Sequence, residues 1–310
     1  MREFFSTVVT MKPVIFSFLF LFILLGVDAA GQKKPAPRFR VGVDTVAVRV
    51  AVSDPLNRNV VGLEKEHFKI FENKVKQTIT HFFSDKSLIS VGIILDVSGS
   101  MKINIGSARN SVVRFLERGD PGDQYFLITF NNRTTLVQDF TPGSGNIQNQ
   151  VSISNPKGRT ALYDAVYLGL EKMREARQDK KALIIITDGE DNSSRYTFNE
   201  VKDFVKESDV QIYVIGARGQ LGYGRGIIAN LGRLTGGRAF FPGNFKQLDY
   251  LIDLIHAELR NQYVLGYRPT DRNFDGKWRK IKVRLEPPEG LPKLSVRAKE
   301  GYFAPGKFSN

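Results

Sequence analysis

Oxygen-bearing side chains recur at three places in the sequence, and the first place has the spacing of a metal site. The segment DVSGS at 96–100 carries a carboxylate and two hydroxyls at alternate positions. Alternate side chains of an extended segment point to the same side, so Asp96, Ser98 and Ser100 can converge on one ion. Their oxygens are hard ligands, which suit Mg²⁺, Mn²⁺ or Ca²⁺ rather than zinc.

Two further oxygen ligands follow later in the chain. Thr160 lies in PKGRTALYDA, where a helical pattern begins, and Asp188 lies in IIITDGED, directly after an apolar run. In open α/β sheets, ligands bind at the carboxyl ends of the strands, where Asp96 and Asp188 would both lie. The neighbouring residues that could support such a site are Gly99, Gly189, Glu190 and Asp191.

Each of these residues also fits an ordinary structural role. Asp96 and the two serines that follow it could cap the next helix, and Thr160 could cap the helix that begins after it. A lone Asp-Gly pair is most often a turn, and Glu190 and Asp191 could belong to a solvated turn rather than add negative potential beside a metal. The metal site is preferred because three separate loops carry suitable oxygens along one alternating chain.

Apolar patterns predict the elements that would position these residues. Residues 87–262 alternate between strand-like segments such as KALIIITDG and helix-like segments such as ALYDAVYLGLEKMREA. The first is typical of a strand buried on both faces, and the second repeats apolar residues every three to four positions. Repeated strand–helix units predict an α/β fold with a doubly wound, mainly parallel sheet. A last helix is predicted at 246–261.

Strand-like segments flank this region on both sides. Residues 40–86 predict three to five short strands, and residues 263–305 return to strand patterns broken by turn sequences such as PPEGLP. Each segment is too small to form a domain comfortably alone. We therefore expect the two segments to pair into a small antiparallel β-sandwich, with the α/β domain inserted between them.

The N-terminal sequence predicts export. Residues 14–27 are almost wholly apolar, with positive charges before them and small residues after them, as in a secretory signal peptide. We interpret residues 1–29 as the signal peptide and 30–39 as a linker; an uncleaved membrane anchor is the alternative. The absence of cysteine excludes thiolate catalysis and disulfides, and with export it favours a secreted or periplasmic protein of a bacterial envelope.

Three motifs in combination resemble the von Willebrand factor type A family. They are DVSGS, GRTALYDA and ITDGED, at 96–100, 158–165 and 186–191. In that family, a DxSxS motif, a threonine in a later loop and an aspartate in a TDG-type turn form the metal-ion-dependent adhesion site. The resemblance covers about residues 87–262, and a looser one extends to bacterial exported proteins that contain this domain.

The resemblance implies a site and a function. The metal would be Mg²⁺, or Mn²⁺ or Ca²⁺, and a carboxylate from a protein or envelope ligand that presents Asp or Glu would complete its coordination. The expected function is an exported adhesion-type binding module that is not an enzyme, and a shift of the last helix would tune its affinity. The residues that would hold the metal, directly or through water, are Asp96, Ser98, Ser100, Thr160 and Asp188.

Two other functions are compatible with the same residues. A metal-independent structural component of the envelope is the main alternative. A hydrolytic enzyme that uses the metal to activate water is the third, with Glu190 and Asp191 as the only candidate bases in the motif loops. The net charge of +13 favours acidic partners. Nucleic acid is not expected as a partner because the chain is predicted to be exported.

Overall fold

The computed structural model of the protein describes residues 45–143, 145–152, 155–216 and 224–306. The segments interpreted as signal peptide and linker lie outside these ranges. No helix within these ranges is long and apolar enough to cross a membrane.

The described chain opens with four strands, continues with alternating strands and helices, and closes with four strands. The opening strands are β1 (Val46–Ser53), β2 (Phe68–Glu72), β3 (Val75–Gln77) and β4 (Ile79–Asp85). The alternating part comprises β5 (Ile89–Asp96), α1 (Ile105–Glu117), β6 (Gln124–Phe130), β7 (Thr134–Pro142), α2 (Gly145–Ser152), α3 (Leu162–Lys172), β8 (Lys180–Thr187), α4 (Phe198–Glu207), β9 (Gln211–Gly216), α5 (Gly224–Thr235), β10 (Arg238–Phe240) and α6 (Leu248–Arg260). The closing strands are β11 (Gln262–Tyr267), β12 (Trp278–Leu285), β13 (Ser295–Ala298) and β14 (Gly301–Phe303).

The central sheet has six strands in the order β10-β9-β8-β5-β6-β7, and all its pairs are parallel except β6 with β7. Helices α1, α2 and α6 pack on one face, and α3, α4 and α5 pack on the other. Strand β5 lies in the middle and all eight of its residues are buried. This arrangement confirms the predicted doubly wound α/β fold.

The flanking strands form two antiparallel sheets, ordered β13-β1-β11-β4 and β14-β12-β2-β3. Each sheet combines strands from both ends of the described chain, because β1 and β4 pair with β11 and β2 pairs with β12. Apolar side chains from both sheets form a core of their own, which includes Val50, Ile70 and Leu265. The two segments thus make a small β-sandwich, as predicted from their patterns.

The α/β domain leaves and rejoins the sandwich at neighbouring points. It begins after β4 and ends where α6 runs into β11, with only Asn261 between them. Strands β4 and β11 are paired, and Asp85 lies opposite Gln262. The two connections of the inserted domain therefore lie side by side, and the domain can be inserted without a long linker.

Candidate metal site

The loops that follow β5 and precede α3 are joined by backbone hydrogen bonds at the carboxyl edge of the central sheet. Gly99 N donates to Gly158 O at 3.0 Å, and Lys157 N donates to Val97 O at 2.9 Å. The loops therefore hold one another directly, rather than only through the strands. This places the DxSxS segment beside the loop that contains Thr160.

Gly158 lies at the contact between these loops and needs to be glycine. Its φ is +83°, and a Cβ built on it would lie 2.4 Å from Asn132 Oδ1. A side chain would therefore add left-handed backbone strain and a steric clash. The backbone N–H of Arg159 also donates to Asn132 Oδ1, so the turn after β6 supports the same loop.

Asp96 is the last residue of β5 and its side chain is buried. Its Oδ1 accepts a hydrogen bond from Ser98 N at 2.7 Å, and its Oδ2 accepts one from Thr187 Oγ1 at 2.6 Å. Thr187 ends the neighbouring strand β8. Both carboxylate oxygens are therefore oriented by groups at the edge of the sheet, and Asp96 does not cap the helix that follows.

Asp188 is buried beside the two serines of the DxSxS segment. Ser100 Oγ donates to Asp188 Oδ1 at 2.6 Å, and Ser98 Oγ lies 3.0 Å from Ser100 Oγ. Asn104 Nδ2 donates to Asp188 Oδ2 at 2.9 Å. The structure thus brings the carboxylate of the TDG turn into contact with the hydroxyls of the first motif.

Thr160 completes the cluster from a third loop. A Cβ built on Gly189 would lie 3.1 Å from Thr160 Oγ1 and 3.5 Å from Ser100 Oγ, so these hydroxyls face the same glycine. Asn192 holds the backbone of Thr160 on both sides. The backbone N–H of Asn192 donates to Thr160 O, and Asn192 Oδ1 accepts from Thr160 N. Thr160 is not the cap of α3, because Ala161 occupies that position.

The acidic residues after Asp188 support the surrounding loops. Glu190 Oε1 accepts from Gly224 N at the start of α5 at 3.1 Å, and Asp191 Oδ2 accepts from Tyr163 N in α3 at 3.1 Å. Both side chains are half-buried. They are therefore more than a solvated turn, and their hydrogen bonds connect the TDG loop to the helices on one face of the sheet.

Three residues that support this site were not identified from the sequence, and Asn192, which holds the backbone of Thr160, is one of them. Thr187 orients Asp96, and Asn104 orients Asp188. Thr187 lies next to Asp188 in the TDG motif, which is a signal that could have drawn attention to it. Asn104 has no such signal, because it reaches the site only after the chain has folded around a 3₁₀ turn at Gly99–Lys102.

Two buried carboxylates in one cluster give the site an unbalanced charge. Burial raises the pKa of Asp96 to about 6, although hydrogen bonds from Ser98 and Thr187 lower it, and the negative charge of Asp188 raises it further. A cation at this point would neutralise both groups. The site thus has the electrostatics of a cation site.

The chemistry of the donors also fits a hard divalent cation. The candidate ligands are two carboxylates and three hydroxyls, which bind Mg²⁺, Mn²⁺ or Ca²⁺ in proteins. No cluster of three or more His, Cys, Asp or Glu side chains that could hold a metal occurs in the described part of the chain. A metal at the carboxyl edge would therefore depend on the hydroxyls of Ser98, Ser100 and Thr160.

The fold and the cluster define an inserted α/β domain with an oxygen-rich candidate site at the carboxyl edge of its sheet. The family model described as the von Willebrand factor type A domain matches residues 90–254, which is more than half of the chain. The chain therefore belongs to the von Willebrand factor type A family. None of the curated proteins compared with the chain matches it.

Solved structures share this fold at low sequence identity. A von Willebrand factor type A protein from Catenulispora acidiphila is 10% identical with a TM-score of 0.51, over 83% of this chain and 73% of that chain. Proximal thread matrix protein 1 from the mussel byssus, with a zinc-occupied metal-ion-dependent adhesion motif, is 19% identical with a TM-score of 0.50. The alignment covers 61% of this chain but only 50% of the mussel protein.

Proposed function

We propose that this protein is an exported binding module that engages a protein or envelope ligand through a divalent cation. One observation carries the proposal: three loops bring the oxygens of Asp96, Ser98, Ser100, Thr160 and Asp188 into one cluster at the edge of the sheet. Export is proposed from the signal-like sequence at residues 1–29.

The donor set supports binding rather than catalysis. Two carboxylates would balance the charge of a divalent ion, while the neutral hydroxyls would leave it able to attract a further anionic ligand. An Asp or Glu side chain of a partner is the natural ligand of that kind. The three histidines, His67, His81 and His256, lie in the sandwich or in α6, away from the cluster. We therefore propose no enzymatic activity.

A metal-independent structural role is the second candidate, and one observation favours it. The hydroxyls of Ser98 and Ser100 form a chain of hydrogen bonds that ends on Asp188, so the cluster is partly satisfied by its own groups. Such a cluster could hold the loops together without an ion. This candidate predicts partner binding that survives chelation.

Calorimetric titration of the full chain with Mg²⁺, Mn²⁺ and Ca²⁺, up to millimolar concentration, tests the proposal. Zn²⁺ is included because the mussel protein has a zinc-occupied site. Asp188→Asn should abolish binding, because it removes one of two charges while keeping the shape of the side chain. Asp203→Asn is the matched control, since Asp203 lies on the exposed face of α4, where it pairs with Lys206.

The two candidates give different outcomes in this experiment. Binding that is lost in Asp188→Asn and kept in Asp203→Asn supports the metal-dependent module. An envelope partner captured equally well with and without chelator, by the wild type and by Asp188→Asn, would replace it with the structural role.

A further inference from the structure

A cavity of about 380 Å³ lies between the α/β domain and the β-sandwich, away from the candidate metal site. Its walls come from α5 and β10 on one side and from β12, β13 and the turn after β13 on the other. Its volume lies within the range of ligand-binding pockets. Apolar side chains such as Val283 and Val296 form part of its wall.

The charges around this cavity are strongly unequal. Five cationic side chains line it, and Glu300 is the only carboxylate among the lining residues. Three of the cations have carboxylate partners: Arg233 pairs with Glu300, Arg297 with Glu258, and Lys299 with Asp209. Within the described chain, the other two, Arg238 and Lys282, form no salt bridge.

The guanidinium of Arg238 lies at the cavity and could form an ion pair with a bound anion. Its guanidinium donates to Asn57 and lies 4.6 Å from the centroid of the Phe240 ring, and both of these contacts are uncharged. Burial lowers the pKa of Arg238, and the nearby positive charge of Arg297 lowers it further. Burial and this repulsion both disfavour the charged form of Arg238, so a negative ligand nearby would stabilise it.

The backbone around the cavity could also pair with an extended peptide. Every residue of the segments 236–239 and 296–300 lines the cavity. A segment that presented the face of a sheet would line it with alternate residues only, so these segments present a backbone edge. β10 is the outer strand of the central sheet and β13 is the outer strand of a sandwich sheet. Outer strands carry unpaired backbone donors and acceptors, which an extended peptide can use.

We propose that this cleft binds an acidic peptide segment in an extended conformation. The strand edges would bind its backbone, the apolar wall would accept alternate side chains, and Arg238 and Lys282 would bind its carboxylates. A peptide is favoured over a small anion because the cations come from both domains and an outer strand of each domain lines the cleft. The proposal is independent of the metal site.

Fluorescence anisotropy with the full chain tests this proposal. The probe is a fluorescein-labelled peptide with three Glu-Val repeats, and EDTA is present throughout so that the metal site makes no contribution. Lys282→Glu should weaken binding at least tenfold, because it reverses an exposed charge at the cleft. Lys86→Glu makes the same change at an exposed position after β4, the strand at the opposite edge of the sheet from β13, and should alter the dissociation constant less than twofold.

Two further probes separate the proposed occupant from others. A Gln-Val peptide should bind at least tenfold more weakly, and a Glu-Val peptide with N-methylated alternate residues should lose binding if the strand edge is used. No binding of the Glu-Val peptide, or equal loss in both lysine variants, would overturn the proposal. Displacement by a single-stranded oligonucleotide with the same sensitivity to Lys282→Glu would also overturn it, because the cleft would then bind polyanions generally.

Discussion

At the scale of single residues, Thr187 controls the orientation of the buried carboxylate at the candidate metal site. Asp96 accepts one hydrogen bond from the backbone of Ser98 and one from the hydroxyl of Thr187. The second of these bonds comes from a side chain, so a substitution of Thr187 removes it. Thr187 is itself fully buried, so no water can easily replace its hydroxyl.

We predict that Thr187→Val lowers the affinity for the divalent cation by about tenfold to a hundredfold, the usual effect of removing a group that orients a metal ligand. Valine has nearly the same shape, so the fold should be kept. The affinity is measured by calorimetry with Mg²⁺. Thr135→Val, at an exposed position of β7, makes the same chemical change and should leave the affinity as it is. Equal affinities in all three proteins would contradict this role of Thr187.

The residues of the site differ in how far the sequence could predict them. Asp96, Ser98, Ser100, Thr160 and Asp188 were proposed from motif spacing, and the structure brings them together. Their role as metal ligands stays a prediction. The supporting contacts of Asn104 and Asn192 were not predicted, because each depends on a loop conformation that arises from tertiary packing and leaves no periodic signal.

At the scale of elements, the strongly patterned segments were predicted well and the weakly patterned ones were not. β5 and β8 are runs of buried apolar residues. Such runs predict strands that are buried on both faces, as central strands of a parallel sheet are. Helix α2 was missed, because Ile147 and Val151 are its only buried apolar residues and they give too short a pattern. The predicted helix at 246–261 begins instead with a 3₁₀ turn, and α6 covers Leu248–Arg260.

The loop before α3 gives a prediction at this scale. Gly158 and Gly62 both have φ of +83°, but only a Cβ at Gly158 would clash with Asn132, whereas nothing lies within 4 Å of one at Gly62. Gly62→Ala should therefore cost only the left-handed strain, about 1 kcal/mol. Gly158→Ala should cost about 1–3 kcal/mol more because it also overpacks the contact.

Urea unfolding measures the stability of both glycine variants, and calorimetry measures their affinity for Mg²⁺. Only Gly158→Ala should weaken metal binding, because Gly158 O accepts the hydrogen bond from Gly99 in the DxSxS segment. If both variants lose the same stability and neither loses affinity, the contact between the loops does not support the site.

At the scale of the whole molecule, charged groups join the β-sandwich to the α/β domain. Asp85 ends β4, and its Oδ2 accepts from Arg49 Nε of β1 at 3.1 Å. Lys180, the first residue of β8, is fully buried; its Nζ donates to Asp85 O at 3.0 Å and lies 3.5 Å from Asp85 Oδ2. The junction therefore contains a buried ion pair that one substitution can break.

The same junction constrains the last helix. Only Asn261 separates α6 from β11, and Glu258 of α6 accepts from Arg297 of β13 and from Tyr213 of β9. A shift of α6 along its axis would have to move or strain the sandwich. Any regulation of the metal site through α6 would thus be coupled to the β-sandwich.

Asp85 makes the stability of the whole molecule depend on pH. Burial alone would raise the pKa of Asp85, but the charge of Lys180, the hydrogen bonds from Ser87 and the charge of Arg49 lower it from 3.8 to about 2. A carboxylate whose pKa falls on folding stabilises the folded state above its unfolded pKa, and the stabilisation is lost as the pH falls toward the folded pKa. The loss therefore occurs between about pH 4 and pH 2, and its full size is about 2 kcal/mol.

We predict that Asp85→Asn lowers the free energy of unfolding by at least about 2 kcal/mol at pH 7, because it leaves Lys180 buried without a counterion. At pH 3 about half of the Asp85 stabilisation of the wild type is lost. The difference in free energy of unfolding between the two proteins should therefore be about 1 kcal/mol smaller there than at pH 7. Urea unfolding followed by the fluorescence of Trp278, the only tryptophan, measures this difference at both pH values. The exposed control Asp203→Asn should keep the wild-type urea midpoint at both. Parallel pH profiles for wild type and Asp85→Asn would show that the junction is held by packing rather than by this ion pair.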